Sequence, residues 1–154
     1  MGDDEVAPVD GVDVPEASSL IYDITAPVSN ANTIDPYWYT AGPISIDVTY
    51  ADALSGVADV ELWYRYSTDN STWGAWALFA TDNTFPIGPF SFTFPDGEGY
   101  YEFYSRAHDV AGNYEAAPAG RDALCAYDVS APSSSVDLID PYWYCLLYTS
   151  PSPR

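Results

Sequence analysis

The chain contains an internal repeat, since two short stretches near its start recur near its end. Residues 22–27 (YDITAP) recur as residues 127–132 (YDVSAP), and residues 34–39 (IDPYWY) recur letter for letter as residues 139–144. The second copy of each phrase lies 105 residues after the first. A period of that size is typical of a whole domain of about 100 residues and not of a short solenoid unit.

Between the two copies, short runs of alternating apolar and polar residues predict β-strands. A period of two residues occurs at about 44–49, 60–66, 90–94 and 101–107, and a last strand is expected at about 122–127. Turn-forming Asp, Asn, Gly and Pro separate these runs, and the 13 prolines argue against long helices. The pattern predicts an all-β chain, an antiparallel β-sandwich of about seven strands.

The repeat and the composition divide the chain into four parts. Residues 1–21 read as an acidic flexible linker, 22–127 as one sandwich repeat, and 128–144 as the start of a second, truncated repeat. The tail at 145–154 (CLLYTSPSPR) resembles a translated sequencing adapter. We therefore expect this tail to be non-native and the natural chain to continue with more repeat.

The charge balance bears on which partners the chain can bind. Asp and Glu number 23 against 4 Lys and Arg, which gives a net charge of −19. Phosphate binding needs clustered cations, so nucleic acid is not an expected partner, and anionic lipid is disfavoured for the same reason. No apolar run approaches the ~20 residues of a membrane span, so direct membrane insertion is not expected. Such a surface attracts cations or suits high salt.

Three phrases of the sequence resemble a known family. They are 52–57 (DALSGV), 107–113 (AHDVAGN) and the repeated 22–27. In this order and spacing they resemble the tandem immunoglobulin-like, or fibronectin-III-like, repeats of bacterial and archaeal surface proteins. The resemblance covers about residues 22–144 and implies an immunoglobulin-like sandwich.

The resemblance also implies a role and a location. It implies a non-catalytic structural or adhesive module, a spacer or stalk repeat, of a larger extracellular or cell-surface protein. The expected partners are neighbouring repeats of the same chain, with a surface glycan or protein as a further candidate. A resemblance of fold does not fix a ligand.

The sharpest site hypothesis concerns Ca²⁺. In an immunoglobulin-like sandwich, the B–C loop, the F–G loop and the start of strand A lie at one pole, where this chain carries Asp23, Asp52, Asp109 and Asn113. Carboxylate and amide oxygens are the hard ligands that Ca²⁺ prefers. In the alternative, Asp109 and Asn113 form an Asx-type turn, Asp52 caps its own loop and Gly112 supplies a positive φ.

The aromatic residues raise a second hypothesis, a carbohydrate- or protein-binding accessory domain. Rings that are exposed and coplanar could stack against a sugar, while rings that pack in the core could not. The residues concerned are Tyr37, Trp38, Tyr39, Trp63, Trp73 and Trp76.

Catalytic chemistry finds little support in the sequence. His108 is the only histidine, and it should point away from the neighbouring Asp109 on a strand. Cys125 lies in a predicted strand and reads as a buried small hydrophobe. We therefore expect no enzyme activity. Tyr101 opens a strand and is expected to form a tyrosine corner with upstream backbone.

Overall fold

The computed structural model describes residues 22–137, and these residues form nine β-strands and no helix. The expected linker at 1–21, the tail at 145–154 and most of the second-repeat start lie outside the described residues. The strands are β1 (Val28–Ala31), β2 (Trp38–Tyr39), β3 (Ile44–Ile46), β4 (Val48–Ala51), β5 (Val57–Ser67), β6 (Ala77–Asp82), β7 (Phe90–Phe92), β8 (Gly99–Asp109) and β9 (Ala123–Tyr127).

The strands pair into one large sheet and two small ones. The five-stranded sheet has the order β2-β9-β8-β5-β6, while β1 pairs with β4 and β3 pairs with β7. All pairs are antiparallel except β2 with β9, which run parallel with Trp38 opposite Ala126. The chain is therefore all-β, as the alternating pattern predicts.

The hydrophobic core lies where the β3–β7 pair packs on the five-stranded sheet. The ring of Phe92 on β7 lies 4.8 Å from Phe103 on β8 and 5.3 Å from Tyr64 on β5, measured between centroids. Along β8 the inward positions Tyr101, Phe103 and Ala107 are fully buried. Burying a large apolar side chain such as that of Phe103 stabilises the fold by roughly 1.5–3 kcal/mol. The period of two is what brings these side chains to one face.

Two differences from the expected strands have local causes. The run predicted at 44–49 is divided into β3 and β4 at Asp47, whose carbonyl accepts the backbone N–H of Asn32 at 2.8 Å. The short strands β1 and β2 have no alternating pattern long enough to mark them. The described chain consequently has nine strands where the sequence predicts about seven.

The outer face of the five-stranded sheet carries an ionic cluster where solvent would be expected. Glu102 points away from the core, yet its side chain is only 1% exposed. Arg65 donates to one of its carboxylate oxygens at 2.7 Å, and Arg121 pairs with the other oxygen. The guanidinium of Arg65 also lies over the rings of Trp73 and Trp76. The indole rings thus cover a paired charge, which removes most of its contact with water.

Candidate metal site

Three carboxylates from distant parts of the chain meet at one pole. Asp23 precedes β1, Asp52 follows β4 and Asp109 ends β8, and one oxygen from each lies within 4.8 Å of the others. We call these three residues together with Asn113 the acidic pole. The fold thus brings together the three aspartates that the sequence singles out.

The Asp52 carboxylate organises the loop between β4 and β5. Its Oδ2 accepts the backbone N–H groups of Leu54 at 2.9 Å and Gly56 at 2.8 Å. Its Oδ1 is shielded from solvent and has no hydrogen-bond partner among the described residues. A buried acceptor without a partner is costly in a folded protein, and a bound cation would remove that cost.

The Asp109 carboxylate is buried and held by the loop that follows it. The side chain is 1% exposed, Oδ1 accepts the Asn113 backbone N–H at 2.7 Å, and Oδ2 accepts the Asn113 side-chain amide at 2.8 Å. Gly112 completes the turn with a φ of +98°. Burial raises the pKa of Asp109, but the hydrogen bonds from Asn113 and Gly112 outweigh it, so the pKa lies below its ordinary value.

The Asp23 carboxylate connects the segment that precedes β1 to the loop that contains Asp52. It accepts the backbone N–H of Thr25 at 2.9 Å and that of Ser55 at 2.8 Å. Chiefly through the Thr25 N–H, these hydrogen bonds lower the pKa of Asp23. Since the pKa values of Asp23 and Asp109 both lie below normal, both groups are ionised at neutral pH and the pole concentrates negative charge.

Asn113 has a different part in the cluster from that of the aspartates. Its amide nitrogen donates to the Asp109 carboxylate and, at 3.2 Å, to the backbone carbonyl of Asp23. In this orientation Asn113 positions the carboxylates as a donor, and a ligand role would need its amide oxygen to face the ion. Which way an amide points cannot be read from a sequence.

The acidic pole fits both hypotheses drawn from the sequence. The turn bonds of Asp52, Asp109 and Gly112 are all present. They nevertheless leave acceptor capacity, because each carboxylate oxygen has two lone pairs and Asp52 Oδ1 uses neither within the described chain. Three hard oxygen donors with spare lone pairs, held by loops, suit Ca²⁺ better than a thiol- or imidazole-binding metal.

The aromatic residues mostly pack against one another. The Trp63 ring stacks on Tyr104 at 5.9 Å with an interplanar angle of 9°, and the Trp76 ring meets the same tyrosine edge-on at 4.5 Å. Trp63, Trp73 and Trp76 are half-buried, as are Tyr37 and Tyr39, while Trp38 is 52% exposed. Trp38 is therefore the indole of the predicted set with the most open face.

The remaining residues singled out by the sequence have clear surroundings. His108 lies on the outer face, stacked on Tyr114, with its Nδ1 3.2 Å from Asp59. The side chain of the neighbouring residue, Asp109, is instead buried and belongs to the acidic pole. The hydroxyl of Tyr101 donates to the carbonyl of Gly97 at 2.7 Å, which confirms the tyrosine corner.

Comparison with known protein families, with curated proteins and with solved structures finds no significant match. Between residues 22 and 137, none of the structure is a helix with the length and apolar character needed to cross a bilayer.

Proposed function

We propose that residues 22–127 form an immunoglobulin-like, or fibronectin-III-like, sandwich repeat that acts as a non-catalytic spacer in a larger extracellular surface protein. The strand order supports this proposal. With β1–β2, β3–β4, β5, β6, β7, β8 and β9 taken as A, B, C, C′, E, F and G, the two small sheets are A-B and B-E, which share the interrupted strand B. The large sheet is G-F-C-C′ with the end of A at its edge. This order supports an immunoglobulin-like sandwich.

The observation that carries the proposal is a turn that occurs twice. At the start of the domain, Asp23 Oδ1 accepts the Thr25 N–H at 2.9 Å. One period later, Asp128 Oδ1 accepts the Ser130 N–H at 2.9 Å. The chain thus leaves the domain through a copy of the turn by which it began, as expected if repeats follow one another directly.

The acidic pole gives the spacer a means of stiffening. Asp23, Asp52 and Asp109 come from three segments that are distant in sequence, and their negative charges repel one another. A Ca²⁺ ion shared by them would replace that repulsion with attraction and fix the three segments together. We propose that Ca²⁺ binds there with a Kd of about 10⁻⁴–10⁻³ M, the range of extracellular modules.

An accessory domain that binds glycan through its aromatic residues has weaker support. Trp63, Trp73 and Trp76 pack on Tyr104 or Arg65, so their faces are partly used within the protein. Trp38 meets Tyr37 and Tyr100 edge-on, so the three rings do not form a flat platform.

Thermal unfolding of the full chain tests the Ca²⁺ proposal. Melting temperatures are measured with EDTA, with about 10 mM CaCl₂, and with NaCl of matched ionic strength. At the proposed affinity, this CaCl₂ concentration stabilises the native state by roughly 1–3 kcal/mol beyond the salt control. Asp52→Asn should abolish the difference, while Asp47→Asn, the same change at an exposed site, should keep it. Equal melting temperatures in CaCl₂ and matched NaCl would mean charge screening without a bound ion.

A further inference from the structure

We infer that the end of the domain opposite the acidic pole is a docking surface for the acidic pole of the next copy of the repeat, and that Glu98 latches the two copies together. We call this end the exit pole and define it by Trp38, Glu98, Tyr100 and Tyr127. The inference rests on the proposed function, since it needs a second copy in tandem, and it adds the partner and the contact surface.

The Glu98 carboxylate accepts hydrogen bonds from the first residues of the next repeat. Its Oε1 accepts the backbone N–H of Val129 at 2.8 Å, and both of its oxygens lie 2.9 Å from the hydroxyl of Ser130. Glu98 is itself held in place, because its carbonyl accepts the hydroxyl of Tyr66 at 2.6 Å. A side chain of this domain therefore fixes chain that, by the 105-residue offset, belongs to its neighbour.

The connection between copies is too short to keep them apart. Asp128, the counterpart of Asp23, immediately follows β9, and its N–H still bonds the carbonyl of Tyr39 at 2.9 Å. The segment 128–132 can span at most about 17 Å when fully extended. Because Asp23 lies within the acidic pole of its own copy, Asp128 would bring the next acidic pole directly against the exit pole.

The acidic pole carries exposed apolar side chains, and the exit pole carries a cleft whose lining is both aromatic and polar. Around the acidic pole, Ile24 is 69% exposed, Leu54 56% and Val110 69%. The exit pole presents a cleft of about 330 Å³ beside the exposed ring of Trp38. Val129, the counterpart of Ile24, is already tethered beside this cleft by Glu98. Exposed apolar groups on one copy can thus enter a cleft on the copy before it, where aromatic rings and polar groups both form the wall.

The charges of the two poles make this docking depend on cations. Glu98 and Asp128 both bind Ser130, one through its hydroxyl and the other through its N–H. In the docked pair, Glu98 would stand next to the carboxylates of the next acidic pole. Like charges so placed repel, and a divalent cation in that pole would offset the repulsion. Docking should therefore tighten with CaCl₂ beyond the effect of salt.

The latch can be tested on the full chain by amide hydrogen exchange. Glu98→Gln keeps the shape of the side chain but weakens its charge-assisted hydrogen bonds. We expect protection of the Val129 amide to fall about tenfold or more, with no change along β8. Asp47→Asn removes one negative charge elsewhere and should leave Val129 unchanged. Unchanged protection of Val129 in Glu98→Gln would overturn the proposal that Glu98 holds the start of the next copy in place.

Docking can be tested on a longer chain, in which a second copy of residues 23–127 is inserted after Tyr127. Small-angle scattering gives its shape, and NMR relaxation shows whether the copies tumble together. We expect an extended monomer that tumbles as one body in CaCl₂ and loses this coupling in Glu98→Gln. An extended monomer with independently tumbling copies would overturn docking, leave the spacer role standing and leave the exit pole to a different partner. A collapsed or self-associating chain would overturn the spacer role as well.

Discussion

The carboxylate of Asp122 accepts the backbone N–H of Ala31 at 3.0 Å, although the two residues lie 91 positions apart. The same oxygen accepts the N–H of Ser105 on β8 at 2.9 Å. A single side chain thereby joins the first strand of the domain to the five-stranded sheet, in a place where no backbone ladder between β1 and β8 is formed.

Glu115 makes the same kind of bridge two residues further along both strands. Its carboxylate accepts the N–H of Ser29 on β1 and the N–H of Ala107 on β8, both at 2.9 Å. The hydroxyl of Ser29 adds a third hydrogen bond at 2.6 Å. Asp122 and Glu115 therefore connect the sheets through hydrogen bonds, as backbone pairing connects the strands within each sheet.

Replacing Asp122 with Asn should loosen the first strand. An amide can accept only through its single oxygen and carries no charge, so the hydrogen bonds to Ala31 and Ser105 weaken together. We expect a loss of about 1–3 kcal/mol in the free energy of unfolding, measured by urea denaturation. Asp47→Asn at an exposed site should change it by less than about 0.5 kcal/mol. Equal stabilities of the two variants would contradict the bridging role.

Removing the Tyr101 hydroxyl should destabilise the fold without disturbing its core. In Tyr101→Phe the ring still fills its site, but the Gly97 carbonyl and the Asp96 N–H lose their shared partner. We expect a loss of about 1–3 kcal/mol in thermal or urea unfolding. The matched control is Tyr22→Phe, since Tyr22 is largely exposed and should tolerate the change. A wild-type free energy of unfolding for Tyr101→Phe would show that the corner adds nothing.

Acid should destabilise the domain partly through Asp69. Hydrogen bonds from the backbone of Thr72 and Ser71, and then from Ser67, hold the pKa of Asp69 well below its usual value of 3.8. The unfolded chain therefore binds the proton more readily, so this contribution to stability is present above about pH 4 and is lost as the pH falls.

The variant Asp69→Asn isolates that contribution. Its melting temperature should be lower than that of the wild type at pH 7 and should fall less between about pH 4 and pH 2. Circular dichroism melts across this range give both quantities. Asp47→Asn should follow the wild-type curve. A wild-type slope in Asp69→Asn would rule out the Asp69 carboxylate as a source of the acid sensitivity.

The thiol of Cys125 should be inert in the folded protein. It is fully buried, and burial raises its pKa to about 12, so almost no reactive thiolate forms near neutral pH. In a Cys145→Ser background, maleimide at about pH 8 should label Cys125 only after unfolding in urea. Mass spectrometry of timed samples measures this. Rapid labelling in native buffer would contradict the burial of β9.

Much of the fold could be predicted from the sequence because the long strands obey a simple period. Phe90, Phe92 and Phe94 alternate with small polar residues, and all three rings are buried. Strand β2 could not be found in this way, since two residues are too few to show a period. Glu102 breaks the rule, because an outward position on β8 is buried by arginines and indoles from other segments.

The sequence could predict which residues form the candidate site, but not the hydrogen-bonding role of each one. Asp23, Asp52 and Asp109 could be grouped because a resemblance supplied the topology that brings their loops together. The donor role of Asn113 and the unpartnered oxygen of Asp52 depend on side-chain orientation. The bridging carboxylates of Asp122 and Glu115 had no local mark among 23 acidic residues.

The parallel pairing of β2 with β9 has a mechanical consequence. The chain enters β2 from the acidic pole and leaves β9 at the exit pole, so tension applied to the two ends pulls these strands in opposite directions along their length. The hydrogen bonds from Ala126 to Tyr37 and from Asp128 to Tyr39 are then loaded in shear and must give way together instead of unzipping one by one. In the proposed spacer role, a chain of such repeats would resist stretching most strongly between β2 and β9 of each repeat.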